Sequence, residues 1–166
     1  MNYARNSARG VHRPGLCRPA FEYKLTRVGE SIGNADCIDT PQAAIEYWQN
    51  TITQASWYSP HKEHLAVLLL NTRHNCNGHA LVSIGTLNEC IAHPRDIFGP
   101  VIADASHAFI LMHNHPSGDS SPSAADRRLT RKIREGADIF EIQLLDHVIA
   151  GSDTSTYFSF KEMGLL

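Results

Sequence analysis

Hydrophobic and polar residues are arranged along the chain in segments that predict a sheet packed against helices. Apolar residues recur at helical spacing in three segments, 40–52, 91–105 and 123–137. Shorter apolar segments predict five strands, at 63–71, 79–86, 107–113, 142–151 and 156–160. Gly99-Pro100 is expected to start, kink or break the second helix. The pattern predicts an α/β (α+β) fold, in which one sheet is flanked by helices.

The N-terminal residues differ from the rest of the chain in charge. Residues 1–30 carry six Arg/Lys and two Glu, whereas 31–126 carry three basic and nine acidic side chains. We therefore divide the chain into an N-terminal arm, residues 1–38, and one domain, residues 39–166. About the first twenty residues of the arm are expected to be flexible. The arm is either a solvated tail without a role or a basic segment that contacts nucleic acid.

Composition excludes several classes of protein. With 166 residues, 42% of them hydrophobic and 19% charged, the chain can bury an ordinary core of one domain. Its net charge of −2 excludes a basic nucleic-acid coat protein. The longest apolar run, Leu65 to Leu70, is too short for a bilayer, which needs about 20 helical residues. Four cysteines without a CxxC pair exclude a thiolate zinc site. We expect a cytoplasmic protein that does not associate with membranes.

The densest group of polar side chains follows the third predicted strand. Side chains two apart on a strand share a face, so His113 and His115 can point the same way. Asp126 falls in the first turn of the next helix, on the same face as Leu129 and Ile133, whose burial would turn it inward. Two imidazoles and one carboxylate are a ligand set for catalytic zinc, with water in the fourth position. The spacing thus predicts a metal site formed by these three side chains.

The same residues also have a purely structural interpretation. His113 and His115 would then be polar residues at a strand end, since an H-x-H pair is common by chance. Asp126 would interact with the helix dipole or form a capping box with Ser123. Spacing alone leaves both interpretations open.

Three segments together resemble a known family. HNHPSGDSSPSAAD (113–126) is similar to the JAMM motif of the JAB/MPN metalloprotease superfamily, because Ser123 lies eight and Asp126 eleven residues after His115. SIGTLNECIAHPRDIF (83–98) and LLDHVIAG (144–151) extend the resemblance to the RadC branch, over roughly residues 40–166. The resemblance implies a JAB/MPN-like mixed sheet flanked by helices, with zinc held by His113, His115 and Asp126.

The resemblance further implies a zinc-dependent metallopeptidase or isopeptidase-like hydrolase whose substrate is a protein or peptide. A zinc-bound water would attack an amide carbonyl, with a glutamate as general base. Of two candidates, Glu63 and Glu89, we choose Glu63 because EHLAVLLLN (63–71) resembles the RadC strand that begins with this residue. Otherwise Glu63 is an exposed residue at a strand edge. The Ser123 hydroxyl would help to hold the tetrahedral oxyanion.

A second candidate function rests on the helix that begins near Asp126. The segment RRLTRKIR (127–134) directs five basic side chains outward, those of Arg127, Arg128, Arg131, Lys132 and Arg134. They form either a solvated face or a patch that contacts phosphates. RadC proteins are linked by name to DNA repair, so the alternative function is a DNA-associated protein that binds or cleaves nucleic acid. Against this, the residues before the matched core lack the helix-hairpin-helix pattern of full-length RadC proteins.

Some properties are left open by the sequence. It names neither the substrate nor the oligomeric state, and it does not say whether a partner completes the site. His93 and His147 lie inside the resemblance, and each either supports a metal ligand or is a structural histidine with its hydrogen bonds satisfied. The family's usual Pro-Arg-Glu is Pro-Arg-Asp at 94–96, which affects the expected helix and leaves the metal ligands unchanged.

Overall fold

The computed structural model describes residues 37–85 and 92–166, so most of the N-terminal arm and Glu89 lie outside the described residues. It contains three α-helices, α1 (Pro41–Asn50), α2 (Pro94–Ala103) and α3 (Ala124–Phe140). Five strands form one sheet, namely β1 (Glu63–Leu70), β2 (Cys76–Gly85), β3 (Ala108–Asn114), β4 (Gln143–Ala150) and β5 (Tyr157–Ser159). The predicted α/β fold class is confirmed. Within the described residues no helix has the length and apolar character needed to cross a bilayer.

The sheet is mixed, and its strand order is β2-β1-β3-β4-β5. β1 lies between β2 and β3 and is antiparallel to both. β3 and β4 are parallel, because α3 connects them across one face of the sheet, while β5 adds an antiparallel edge. This arrangement places the C-terminal end of β3 beside the first residue of β1 and below the first turn of α3. The predicted polar cluster lies at that junction.

Each face of the sheet has its own apolar core. Ile45 and Trp48 of α1 pack with alternate residues of β1 on one face, Ala66, Leu68 and Leu70. The intervening residues of β1 pack on the other face against α2 and α3, where Phe98 and Ile133 are buried. Burial of one such side chain contributes roughly 1.5–3 kcal/mol. β1 is therefore covered on both sides, as its unbroken apolar sequence predicts.

The second helix continues through Gly99-Pro100, where the sequence predicts its start, a kink or a break. Pro100 lies inside α2, which runs unbroken from Pro94 to Ala103. A proline ring also clashes with the Cβ of the residue before it, and Gly99 has no Cβ, so this part of the clash is absent here. Burial of the apolar face of the helix, Ile97, Phe98 and Val101, stabilises the helical backbone despite the missing N–H group.

A buried carboxylate fastens the C-terminal segment to the sheet. Asp146 of β4 accepts hydrogen bonds from the Ser159 hydroxyl at 2.5 Å and from the backbone N–H of Lys161 at 3.0 Å. It also accepts one from the backbone N–H of His147 at 2.7 Å. These bonds fix Phe160, whose ring stacks on the imidazole of His147 with centroids 4.8 Å apart. The C-terminal segment thereby covers one face of the His147 ring.

Candidate metal centre

Three side chains, from β3, the loop after it and α3, converge at the end of β3. His113 lies near the end of that strand, His115 just beyond it, and Asp126 in the first turn of α3. Nε2 of His113 is 3.1 Å from Nε2 of His115 and 3.3 Å from Oδ1 of Asp126. Nε2 of His115 is 3.6 Å from Oδ2 of the same carboxylate. The structure thus brings together the three residues that the sequence predicts as metal ligands, in a group that can hold a metal ion.

The local sequence explains this convergence. Pleating directs His113 and His115 to the face covered by α3 and turns Asn114 to the opposite face. A turn then follows, in which the N–H of Gly118 donates to the carbonyl of His115 at 2.9 Å. Gly118 has φ +78°, a left-handed conformation that glycine adopts without a Cβ penalty. The turn leads the chain back to Ser123, the N-cap of α3, and so aims the helix at the histidines.

Asp126 forms the capping box that its spacing permits and also lies against both imidazoles. Its Oδ2 accepts from the backbone N–H of Ser123 at 2.7 Å and from the Ser123 hydroxyl at 2.6 Å. The N–H of Asp126 donates to the Ser123 hydroxyl at 3.1 Å, which completes a capping box. The other oxygen, Oδ1, faces His113. One carboxylate therefore caps the helix and still presents an oxygen to the two imidazoles, while the Ser123 hydroxyl is directed at Asp126.

The electrostatics of the cluster favour a bound cation. Burial by itself raises the pKa of Asp126, but hydrogen bonds from His113 and His115 outweigh burial and hold that pKa far below 3.8. The hydrogen bond with Asp126 raises the pKa of His115 above 6.5, against the effect of burial. Asp126 is therefore ionised at neutral pH. A carboxylate and two imidazole nitrogens in close contact attract either a proton or a metal ion.

The distances among the three side chains also fit a metal ion. In a tetrahedral site with bonds of about 2.0–2.1 Å, ligand atoms lie about 3.3 Å apart. Nε2 of His113 lies 3.1 Å from Nε2 of His115 and 3.3 Å from Oδ1 of Asp126, and both separations are close to that value. Nδ1 of His115 is 2.7 Å from the carbonyl of Asp119, which can only accept, so Nδ1 carries the proton. In the neutral ring, Nε2 of His115 thus has a lone pair that faces the cluster.

Glu63, the predicted general base, is the first residue of β1 and lies near the three ligands. Leu65 pairs with His113 in the antiparallel register, so Glu63 comes two residues before the position opposite His113, and the charges of His113, His115 and Asp126 all act on its carboxyl. Burial raises the pKa of the half-buried Glu63 carboxyl above 4.5, while the charges of His113 and His115 lower it. A carboxylate with a raised pKa in this position is suited to accept a proton.

Asn114, which the sequence analysis did not single out, holds the backbone on both sides of Glu63. Its Oδ1 accepts from the N–H of His64 at 3.0 Å, and its Nδ2 donates to the carbonyl of Lys62 at 3.0 Å. Asn114 is 3% exposed, so these bonds form away from competing water. Asn114, which lies between the two predicted ligand histidines, therefore fixes the end of β1 that carries Glu63.

Two further buried residues lie behind His113. Nε2 of His147 is 2.9 Å from Nδ1 of His113, and Nδ1 of His147 is 2.6 Å from the Thr130 hydroxyl. Burial lowers the pKa of His147 well below 6.5, so its ring is neutral. His147 thus supports a residue of the cluster, a role that the sequence left open. His93 instead caps α2, where Nδ1 accepts from the N–H of Arg95 at 3.3 Å.

The five basic side chains of α3 are all exposed, as predicted. Three of them, Arg127, Arg131 and Arg134, line a cleft of about 290 Å³ together with Thr130, Phe160 and Leu165. Within residues 37–85 and 92–166, none of these three guanidinium groups has a carboxylate partner. The remaining two, Arg128 and Lys132, lie on the same helix outside the cleft.

Comparison with known proteins confirms the resemblance drawn from the motifs. A family model described as RadC-like JAB domain matches residues 38–165. A UPF0758 protein of Chlorobaculum parvum is 44% identical over 129 residues, which are 78% of this chain and 55% of that protein. UPF0758 proteins of Pelodictyon phaeoclathratiforme and Chlorobium chlorochromatii are 50% and 46% identical over 105 residues, which are 63% of this chain and 46% of each relative. The chain spans about half the length of these relatives.

Proposed function

Because the chain belongs to the RadC-like JAB domain family, we propose that it is a zinc-dependent hydrolase of the JAMM type, a metallopeptidase or isopeptidase-like enzyme. One observation carries the proposal, the convergence of two imidazole nitrogens and one carboxylate oxygen beside a half-buried glutamate. His113, His115 and Asp126 would hold the metal. Zinc suits this set of nitrogen and oxygen ligands, and three protein ligands leave a fourth position open.

The catalytic work divides between the metal and the side chains. A zinc ion in such a site lowers the pKa of water from 15.7 toward about 7 and polarises a carbonyl. Glu63 takes the proton from the attacking water and passes it to the leaving amine. Asn114 holds the strand end that carries Glu63, so the carboxylate stays in one place during both transfers. The substrate is an amide or isopeptide bond in a protein or peptide.

Ser123 is proposed to stabilise the oxyanion that develops on the substrate. Its hydroxyl donates to Asp126 at 2.6 Å, so it would turn from that carboxylate to the substrate oxygen during the reaction. The backbone N–H of Ser123 still bonds Asp126 at 2.7 Å, and this bond holds the helix cap in place. A single oxyanion donor contributes about 3 kcal/mol to transition-state stabilisation where water is excluded; Ser123 is exposed, so the bound substrate would have to exclude that water.

A panel of peptide and isopeptide substrates tests the proposed reaction. Zinc-loaded protein is expected to cleave at least one of them, and removal of zinc with a chelator should abolish cleavage. Re-addition of zinc should restore it, which distinguishes loss of the metal from irreversible unfolding. Cleavage that continues at the same rate in excess chelator would contradict a zinc-dependent mechanism.

The affinity for zinc is expected to depend on pH through His115. This imidazole must lose its proton before Nε2 can bind a metal, and its pKa lies above 6.5. Affinity should therefore fall at least about tenfold for each pH unit below that pKa, because His113 must be neutral as well, and it should level off at higher pH. Asp126 does not contribute to the pH dependence of zinc affinity in this range, because its pKa lies far below 3.8 and it is already ionised. Chelator competition between about pH 5.5 and 8.5 measures this dependence, and a constant affinity would contradict it.

A second candidate function, binding of nucleic acid, is favoured by the cleft on α3. Three guanidinium groups without carboxylate partners among the described residues are suited to phosphate oxygens. If they contact phosphates, the double substitution Arg127→Glu/Arg131→Glu should make the binding constant less sensitive to salt. The slope of its logarithm against log salt concentration should become less negative by about two. The matched control is Arg128→Glu/Lys132→Glu on the same helix. Salt-dependent binding that both variants weaken equally would exclude the cleft as the binding surface.

A further inference from the structure

We propose that Thr130 and His147 are positioning residues that fix the ring proton of His113 on Nδ1, so that Nε2 is the nitrogen offered to the metal. The inference rests on the proposed function of the site and assigns a role to two residues outside the ligand set. Both are buried, with Thr130 2% exposed and His147 fully covered. Their hydrogen bonds form a continuous chain from the backbone of α3, through Thr130 and His147, to the ring of His113.

The direction of these hydrogen bonds is set at the backbone end. The Thr130 hydroxyl lies 2.7 Å from the carbonyl oxygen of Asp126, one helical turn earlier, and a carbonyl can only accept. The single hydroxyl proton therefore lies on that bond. The Thr130 oxygen then accepts from Nδ1 of His147, 2.6 Å away. The neutral His147 ring has its one proton on Nδ1 and a lone pair on Nε2.

The next hydrogen bond in the chain joins His147 to His113, the proposed metal ligand. Nε2 of His147 lies 2.9 Å from Nδ1 of His113, and with a lone pair on the first atom the proton must belong to the second. When a metal is bound, His113 then carries its proton on Nδ1, and the lone pair of Nε2 replaces the proton through which Nε2 can otherwise hydrogen-bond to Asp126. The reverse arrangement would place a proton on Nε2 of His113. That proton would occupy the position of the metal.

The two ligand histidines are fixed by different means. In His115, the position of the ring proton is fixed by the carbonyl of Asp119 in the following loop, 2.7 Å from Nδ1. In His113, the position of the ring proton is fixed by side chains buried beneath α3. Phe160 stacks on His147 there and limits rotation of the His147 ring. Because Thr130 bonds the backbone of Asp126, the same network ties the third ligand to the first. Loss of an outer hydrogen-bond partner of a metal ligand typically lowers metal affinity 10- to 100-fold.

Substitution of Thr130 tests the inference in the full chain. Thr130→Val keeps the shape and removes the hydroxyl, and it should weaken zinc binding by about 10- to 100-fold in chelator competition. Thr130→Ser keeps the hydroxyl and should stay within about threefold of the unaltered protein. The matched control is Thr53→Val, which removes the same kind of bond, from a threonine hydroxyl to the carbonyl four residues earlier (2.6 Å), far along the chain from the site.

Nitrogen NMR of the imidazole rings gives a readout that a merely structural role would not change. Long-range ¹H–¹⁵N spectra should place the proton of His147 on Nδ1 in the unaltered protein and in Thr130→Ser, and not in Thr130→Val. A proton on Nε2 of His147 in the unaltered protein would overturn the inference, even if Thr130→Val failed to fold. So would equal zinc affinity of Thr130→Val and the unaltered protein. An unaltered protein that binds no zinc would instead contradict the proposed function.

Discussion

Glu63→Gln is expected to lower the rate of amide hydrolysis by about 10²- to 10⁴-fold and to leave zinc bound. Glutamine keeps the size of the side chain but cannot take up a proton at neutral pH. The side chain is half-buried, and burial already raises the pKa of the Glu63 carboxyl, so loss of its charge should not destabilise the fold. Steady-state kinetics with the peptide panel, combined with metal analysis of the same samples, measures both effects.

A matched control uses Glu135, an exposed glutamate in the second half of α3. Glu135→Gln removes the same charge far from the first turn of the helix and should keep full activity. If Glu63→Gln retained activity within about tenfold, Glu63 would not be the general base. If it lost zinc together with activity, Glu63 would act as a ligand and the assignment of roles would change.

His115→Ala is expected to weaken zinc binding by more than about 100-fold, because loss of an outer partner of a ligand alone costs up to that factor. His115 is the most accessible of the three proposed ligands, with 17% of its side chain exposed. Its side chain contacts Asp119 in the adjoining loop and the two other residues of the cluster, His113 and Asp126, so no contact ties it to the apolar core. The variant should therefore fold, which separates loss of the metal from loss of the structure.

His107 provides the matched control for this substitution. It is exposed and precedes the first residue of β3, at the opposite end of the strand from the site. His107→Ala should bind zinc with unaltered affinity in the same chelator competition. Zinc affinity of His115→Ala within about threefold of the unaltered protein would remove His115 from the ligand set. Thermal melting of the metal-free proteins verifies that both variants are folded.

The parts of the site that depend on local periodicity could be predicted from the sequence. The alternation of side chains along a strand places His113 and His115 on one face, and helical spacing places Asp126 on the face of Ile133. Both placements need only the distance along the chain. The five strands follow from short apolar segments in the same way, and the structure differs from their predicted bounds by a few residues at most.

The support of the site could not be predicted, because it depends on which strands are neighbours. Asn114 contacts the backbone on either side of Glu63 because β1 pairs with β3. His147 contacts His113 because β3 and β4 are parallel neighbours. Neither register is contained in a local pattern. Thr130 carries a detectable signal, since it lies four residues after Asp126 and shares its helix face. A polar residue on a buried helix face is the feature to search for.

The most direct test of a metal centre is a crystal structure of zinc-loaded protein, with anomalous scattering recorded on both sides of the zinc absorption edge. We predict one anomalous peak per chain at bonding distance, about 2.0–2.2 Å, from Nε2 of His113, Nε2 of His115 and a carboxylate oxygen of Asp126. Zinc bound elsewhere, or these three side chains separated by several ångströms around an empty space, would contradict the account.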